Sequence, residues 1–235
     1  MIRILKSLID IFFPPKCVIC SKLNENFLCD DCIRNISVTG NYVCQFCGKP
    51  TIRSVNKCLE CKDEKLYFTK ARSFGIYEGV LKDVIAEYKY KNVRALTKLL
   101  TQLLYITLQK YYRDISFDSI EYIPMTKRSK SFRGFNQSEL LAKELGKITE
   151  LSVNGFLIKT KNTKKQMSLS LSERRKNLIG VFDFVGSKEN CRGDILLIDD
   201  VYTTGYTVSE CSKVLLNNGA NDIYVLTLAR SLLIQ

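Results

Sequence analysis

The sequence predicts an α/β protein, with a parallel β-sheet flanked by helices and a small cysteine-rich module ahead of it. Three observations carry that expectation. From residue 67 onward, short β-branched and aromatic segments alternate with stretches of helical periodicity, the order that builds parallel sheets. The apolar run Ile195 to Ile198 ends in two carboxylates and a glycine turn that leads into a helix. Eight of the ten cysteines fall in four C-x-x-C pairs between residues 17 and 61. With 235 residues, 46% hydrophobic and 26% charged, the chain has room for one or two domains with a substantial core.

Residues 1–13 read MIRILKSLIDIFF. Ile2, Leu5, Leu8 or Ile9, and Phe12 recur at helical spacing as far as Pro14-Pro15, which predicts a short amphipathic helix. Arg3, Lys6 and Asp10 interrupt a run already too short to span a bilayer. No small-residue cleavage site follows it, so the expected compartment is the cytoplasm. Docking on the body of the protein is the plainer use of this helix. Docking on a membrane surface or a partner helix is the other.

Cys17, Cys20, Cys29 and Cys32 form one set, and Cys44, Cys47, Cys58 and Cys61 a second, with gaps of 8 and 10 residues between the pairs. A C-x-x-C turn aims two sulfurs at one metal, and a second such turn closes a tetrahedral site. The pattern predicts two structural Zn2+ sites, paired in chain order or interleaved. Disulfides are the rival reading and need an exported chain. Gly48, next to Cys47, suits the tight turn of a knuckle. Residues 1–65 are therefore expected to form a helix plus a double zinc-ribbon module, metal standing in for a large core. Residues 66–235 are expected to form the α/β domain.

Within that domain, FTKARSFGIY (68–77) reads as a strand, with Gly75 and Gly79 framing a turn. Helices are expected over 80–90 and 94–112. A strand over 119–125 stops at Pro124, and Met125 to Arg128 reads as a loop. A helix over 136–147 places Leu140, Leu141, Ala142 and Leu145 on one side. Strands are expected over 153–158 and 181–185, separated by a polar, basic loop and a short helix. A buried strand over 195–199, a helix over 206–218 and a strand over 223–229 complete the chain. Cys211, on one helical face with Val208 and Leu215, reads as a small core residue.

The chain has no His, which removes the Ser-His-Asp triad, the Cys-His dyad and any His metal site on this chain alone. Its formal charge is +12; eight thiolates around two Zn2+ would lower that to +8, still basic enough for a polyanionic partner.

The most informative stretch is DILLIDDVYTTGYTVSEC (194–211). Ligands of open α/β sheets sit at strand C-termini. A glycine turn at a helix N-terminus presents backbone N–H groups to a phosphate. Thr203, Thr204 and Thr207 add hydroxyl donors, and Asp199 and Asp200 suit ribose hydroxyls or a hydrated Mg2+. A solvated strand-to-helix turn with capping Thr residues is the bland alternative.

This segment resembles the 5-phosphoribosyl-1-pyrophosphate (PRPP) motif of type I phosphoribosyltransferases. The resemblance implies that Asp199 and Asp200 meet the ribose and that Thr203, Thr204, Gly205, Tyr206 and Thr207 hold the 5′-phosphate of a Mg2+–PRPP ligand. IPMTKRSKSFRGFNQSELLAKEL (123–145), KKQMSLSLSERRKNLIGVF (164–182) and FGIYEGVLKDVIAEYKYK (74–91) further resemble ComF-type competence proteins, over nearly the whole chain. That implies a type I phosphoribosyltransferase-like fold joined to a zinc module, and a role in DNA uptake and natural transformation beside DNA-uptake machinery proteins. It also implies a pyrophosphate or basic site at Lys127, Arg128, Arg133, Asn136 and Gln137, with Lys165-Gln166 and Arg174 to Asn177 bordering its hood.

Three functions stay open: a PRPP-site protein that binds single-stranded DNA, an active phosphoribosyltransferase with an unidentified acceptor, and a scaffold with a vestigial site. Phe132 and Phe135 interleave with basic residues and could stack on bases; Phe135 reads better as core. Thr203 stands where hypoxanthine-guanine-type enzymes carry an Asp, so no general base is evident.

Overall fold

The computed structural model describes residues 16–24, 27–91, 93–161 and 177–232. The helix expected over 1–13 and residues 162–176 of the polar, basic segment expected over 159–178 lie outside these residues. The described elements are α1 (Asp30–Arg34), α2 (Leu59–Lys62), β1 (Lys70–Ile76), α3 (Gly79–Tyr90), α4 (Leu96–Tyr111), β2 (Ser119–Tyr122), α5 (Lys127–Arg133), α6 (Gln137–Thr149), β3 (Leu157–Lys159), β4 (Phe182–Phe184), β5 (Gly193–Tyr202), α7 (Tyr206–Asn217) and β6 (Ala220–Arg230).

The main sheet has the order β1-β6-β5-β2 and is parallel throughout. β5 and β6 are its central strands, and their residues alternate between two cores, as strands covered on both faces must. Leu196, Ile198, Leu226 and Leu228 pack with α3, α4 and α6 on one face. Ile195, Leu197, Ile223 and Val225 pack with α7 on the other, where Cys211 is fully buried as expected.

The cysteine module covers the exposed edge of this sheet. Ile76 N–H donates to Ser37 O (2.8 Å), Thr39 N–H to Phe74 O (3.1 Å) and Ala71 N–H to Phe46 O (2.8 Å). An unpaired edge strand is open to pairing with other chains, and β1 is closed by residues of this one. Gly75 does not frame a turn. It lies inside β1, where a Cβ would meet Ser37 O at 2.6 Å, so glycine there permits the module's close approach.

Two further expectations are corrected. Residues 153–158 are not one strand of the main sheet. Val153 bridges Ile120 in parallel, whereas β3 turns away and pairs antiparallel with β4 as a separate two-stranded sheet. The switch is made at Gly155 and Phe156: Phe156 N–H donates to Glu121 Oε2 (2.9 Å), and a Cβ on Gly155 would meet the Tyr122 hydroxyl at 2.9 Å. Residues 127–128 are not loop but the first turn of α5. Thr126 caps it, its hydroxyl accepting from Ser129 N–H (3.2 Å), and Gly134 ends it at φ 82°, the left-handed residue helices favour there.

Glu121 is fully buried and pairs with no cation among the described residues; burial pushes its carboxyl up to about 7, against two backbone N–H donors. The native chain therefore keeps a proton here that the unfolded chain releases above about pH 4.5, so this contribution to stability falls as pH rises toward 7. The span from 4.5 to about 7 corresponds to roughly 3 kcal/mol. Urea denaturation across this pH range is expected to show that slope in the wild type and lose it in Glu121→Gln. Parallel slopes would mean that Glu121 titrates normally.

Candidate functional site

The two cysteine sets repeat one local design. Cys17 O accepts from Ser21 N–H, and Cys44 O from Gly48 N–H, both at 2.9 Å. Ser21 and Gly48 both adopt left-handed φ, 61° and 72°. Cys29 and Cys58 stand at the N-caps of α1 and α2, which bring Cys32 and Cys61 round toward them. The sulfurs gather in chain order: Cys17, Cys20, Cys29 and Cys32 in one cluster, Cys44, Cys47, Cys58 and Cys61 in the other. Sequential pairing is thus the scheme adopted. Sulfur separations of 3.6–3.7 Å match the edge of a tetrahedron with Zn–S bonds of about 2.3 Å, which is about 3.8 Å. The donor sets fit two structural Zn2+ ions.

The second cluster is tied to the sheet by Arg230, the last residue of β6. Its side chain is 2% exposed. It donates to Cys47 O and Glu60 Oε2, both at 2.8 Å, and lies over the Tyr202 ring at 4.5 Å. Lys49 pairs with the same Glu60.

Tyr202 leads to the acid pair. β5 carries Asp199 and Asp200 at the C-terminal edge of the sheet, and Gly205, at φ 82°, opens α7. A side chain on Gly205 would collide with the Tyr202 hydroxyl. Asp199, Asp200, Thr203, Gly205 and Thr207 line one cleft of about 270 Å³, with Tyr77, Lys89 and Tyr90 opposite. Thr204 and Tyr206 do not line it; Tyr206 turns its hydroxyl to Glu64 (3.0 Å), just after the cysteine module.

Lys89 is the residue that sequence reasoning missed. Its ammonium lies 2.7 Å from Asp200 Oδ1, and both side chains are largely buried. One signal was available: Lys89 follows Ile85 by four residues, beside the apolar stripe of α3 formed by Leu81, Val84, Ile85 and Tyr88. Asp199 accepts from Asp200 N–H (2.8 Å) and the Ser138 hydroxyl (3.0 Å). Burial and the Asp200 charge push its carboxyl up to about 7, against Lys89 and those two donors. Burial works against the Lys89 ammonium, but Asp200 outweighs it, and the Lys89 pKa is raised.

The basic candidates separate. Lys127, Arg128 and Asn136 line a second, larger cleft of about 590 Å³ under β3, with Lys130, Lys159 and Glu139. Arg133 and Gln137 line neither cleft; Arg133 donates to Gln137 Oε1 (3.0 Å) and lies over Tyr90. Asn136 caps α6 through Ser138 N–H and donates to Ile123 O (3.0 Å). Phe135 is core, edge-on to Tyr88, and Phe132 is 95% exposed. The RGFNQ segment is thus largely the joint between α5 and α6. Lys165, Gln166, Arg174, Arg175 and Lys176 lie outside the described residues.

A family model for a double zinc ribbon domain matches residues 8–62. Competence protein F of Haemophilus influenzae is 30% identical, the match covering 88% of this chain and 98% of that one. The chain belongs to the ComF family. The DNA utilization protein YhgH of Escherichia coli is 28% identical (87% and 91% covered), and competence protein ComFC of Bacillus subtilis 27% (87% and 84%). Among solved structures, an allosteric regulatory enzyme of purine biosynthesis is 18% identical with a TM-score of 0.41, over 60% of this chain and 29% of that one. Glutamine PRPP amidotransferase from B. subtilis is 17% identical with a TM-score of 0.36, over 57% and 25%. This ComF chain spans less than a third of either solved chain, and likenesses this loose add nothing to the topology above. No helix among the described residues is long and apolar enough to cross a membrane.

The ComF chain is expected to carry two Zn2+ by elemental analysis and Cys58→Ser to carry one. Loss of zinc should unfold the cysteine module, seen as new proteolytic cleavage before residue 65. A metal-free chain with unchanged cleavage would remove the structural role.

Proposed function

We propose that this protein is a phosphoribosyl-ligand-binding protein that handles single-stranded DNA during uptake in the cytoplasm, beside the uptake machinery. In this reading residues 1–65 are the zinc module and 66–235 a type I phosphoribosyltransferase-like domain. The carrying observation is the cleft in which Asp199 and Asp200 at the end of β5 face Thr203, Gly205 and Thr207 at the start of α7. Carboxylates accept from a ribose diol, and the helix N-terminus favours a phosphate. PRPP brings both groups, with Mg2+ on its diphosphate. Lys127 and Arg128, in the larger cleft, supply positive charge for that diphosphate or for a DNA strand.

The relatives' names, competence and DNA utilization, support the DNA side of the reading. So does α5. None of its seven residues is buried, four of them are Lys or Arg, and it displays Phe132. Tyr90, 70% exposed beneath Arg133, continues the surface. Aromatic rings among cations suit unpaired bases and their phosphates. Transfer of ribose 5-phosphate to an acceptor is the second reading. It is favoured by the Asp199 carboxyl, which burial and the Asp200 charge push up to about 7.

Calorimetry is expected to show Mg2+–PRPP binding to the wild type and a loss of at least about tenfold in Asp199→Asn/Asp200→Asn, as for two lost charged hydrogen bonds. Equal affinity would remove the site. Fluorescence anisotropy with labelled oligo(dT) is expected to show binding that weakens with salt. Phe132→Ala, a change at a fully displayed side chain, should weaken it by roughly tenfold. Binding insensitive to Phe132 would move the strand off α5.

A further inference from the structure

The acid pair already holds a cation of the protein's own, the Lys89 ammonium at 2.7 Å from Asp200 Oδ1. A Mg2+ ion bound by the same carboxylates would sit against that second cation. Here Asp200 Oδ1 is committed to the Lys89 ammonium at 2.7 Å, and Asp199 Oδ1 accepts both the Ser138 hydroxyl and Asp200 N–H. Side-chain exposure at the ion pair is 14% and 12%, so little water screens Lys89 from a dication placed beside it.

The same geometry says what Lys89 does. Two adjacent carboxylates repel each other and repel a phosphate dianion brought to the turn at Thr203 to Thr207. A cation is needed there, and the last turn of α3 carries one in. Burying an ammonium costs free energy unless it is paired, and this one is paired with the acid at the ligand edge rather than with a structural partner on its own helix. Asp200 Oδ2 and Asp199 Oδ2 are left to accept from a diol.

We infer that Lys89 is the resident cation of this site, a positioning residue that neutralises the acid pair so that a ribose 5-phosphate group binds without any metal. The inference rests on the phosphoribosyl reading above. It assigns any Mg2+ to the diphosphate of PRPP, not to the protein.

The test is calorimetric titration of the full-length, zinc-loaded chain with ribose 5-phosphate, in magnesium-free buffer and again with Mg2+. Wild type is expected to bind equally in both. Lys89→Met is expected to lose at least about tenfold without Mg2+ and to regain much of it when Mg2+ is added; a merely structural role would not make the variant metal-dependent. Lys89→Arg, which keeps the charge, should keep metal-free binding. Wild-type binding that requires Mg2+ overturns the role of Lys89 and needs no variant to fold. A Lys89→Met protein that binds normally without metal overturns it too. Failure of the wild type to bind either ribose 5-phosphate or Mg2+–PRPP overturns the phosphoribosyl reading, and this inference with it.

Discussion

One buried guanidinium holds the two halves of this molecule in register. Arg230 ends the central strand β6, reaches the Cys47 carbonyl and Glu60 in the second cysteine cluster, and lies against Tyr202 beneath the Gly205 turn. A charge taken out of water this completely needs close partners; the two terminal nitrogens of Arg230 have a carbonyl and a carboxylate, while its Nε has no hydrogen-bond partner among the described residues. The cluster, the strand end and the turn must therefore keep their mutual geometry. Tyr206 to Glu64 and Tyr67 N–H to the Ser209 hydroxyl (3.1 Å) tie the start of α7 to the segment that leaves the same module. The Gly205 turn is built on the cysteine module as much as on the sheet.

That dependence gives the cysteines a purpose beyond local folding. A four-stranded sheet leaves β1 as an edge, and the module closes it with backbone hydrogen bonds at residues 37, 39 and 46. The first cluster packs with the α3 and α4 core and the second with the α7 core, so the module straddles the edge and joins both faces. Gly75 and Gly48 sit where the backbones touch; a Cβ on Gly48 would meet Ala71 O at 2.7 Å. Metal sites have to supply the rigidity here, because the module has too few apolar residues to supply it.

The candidate site was largely legible as a linear motif. Strand, acid pair, glycine turn and helix are neighbours in sequence, so local chemistry announces them. The RGFNQ segment was legible as a signature and opaque as a role. Its Gly134, Phe135 and Asn136 are spent on ending one helix, packing on Tyr88 and starting the next. The bracket formed by Thr126 and Gly134 was the signal for α5, and the run of charge between them masked it. The split of residues 153–158 was not legible, because Glu121, the acceptor that turns the chain, lies more than thirty residues away on β2.

By itself the sequence determined the class of fold, the eight metal-ligating cysteines, the central strands and the acid pair with its turn, all of which depend on periodicity or on spacing within a few residues. Only the tertiary structure decided what depends on distant backbone meeting: the sequential pairing of the cysteines, the closing of β1 by the module, and the division of the basic residues between a larger cleft and a helix joint. It also decided the partner of Asp200. Lys89 stands far from Asp200 along the chain, and nothing local marks a lysine as the counter-ion of a carboxylate until folding brings α3 against the end of β5 and removes the water between them.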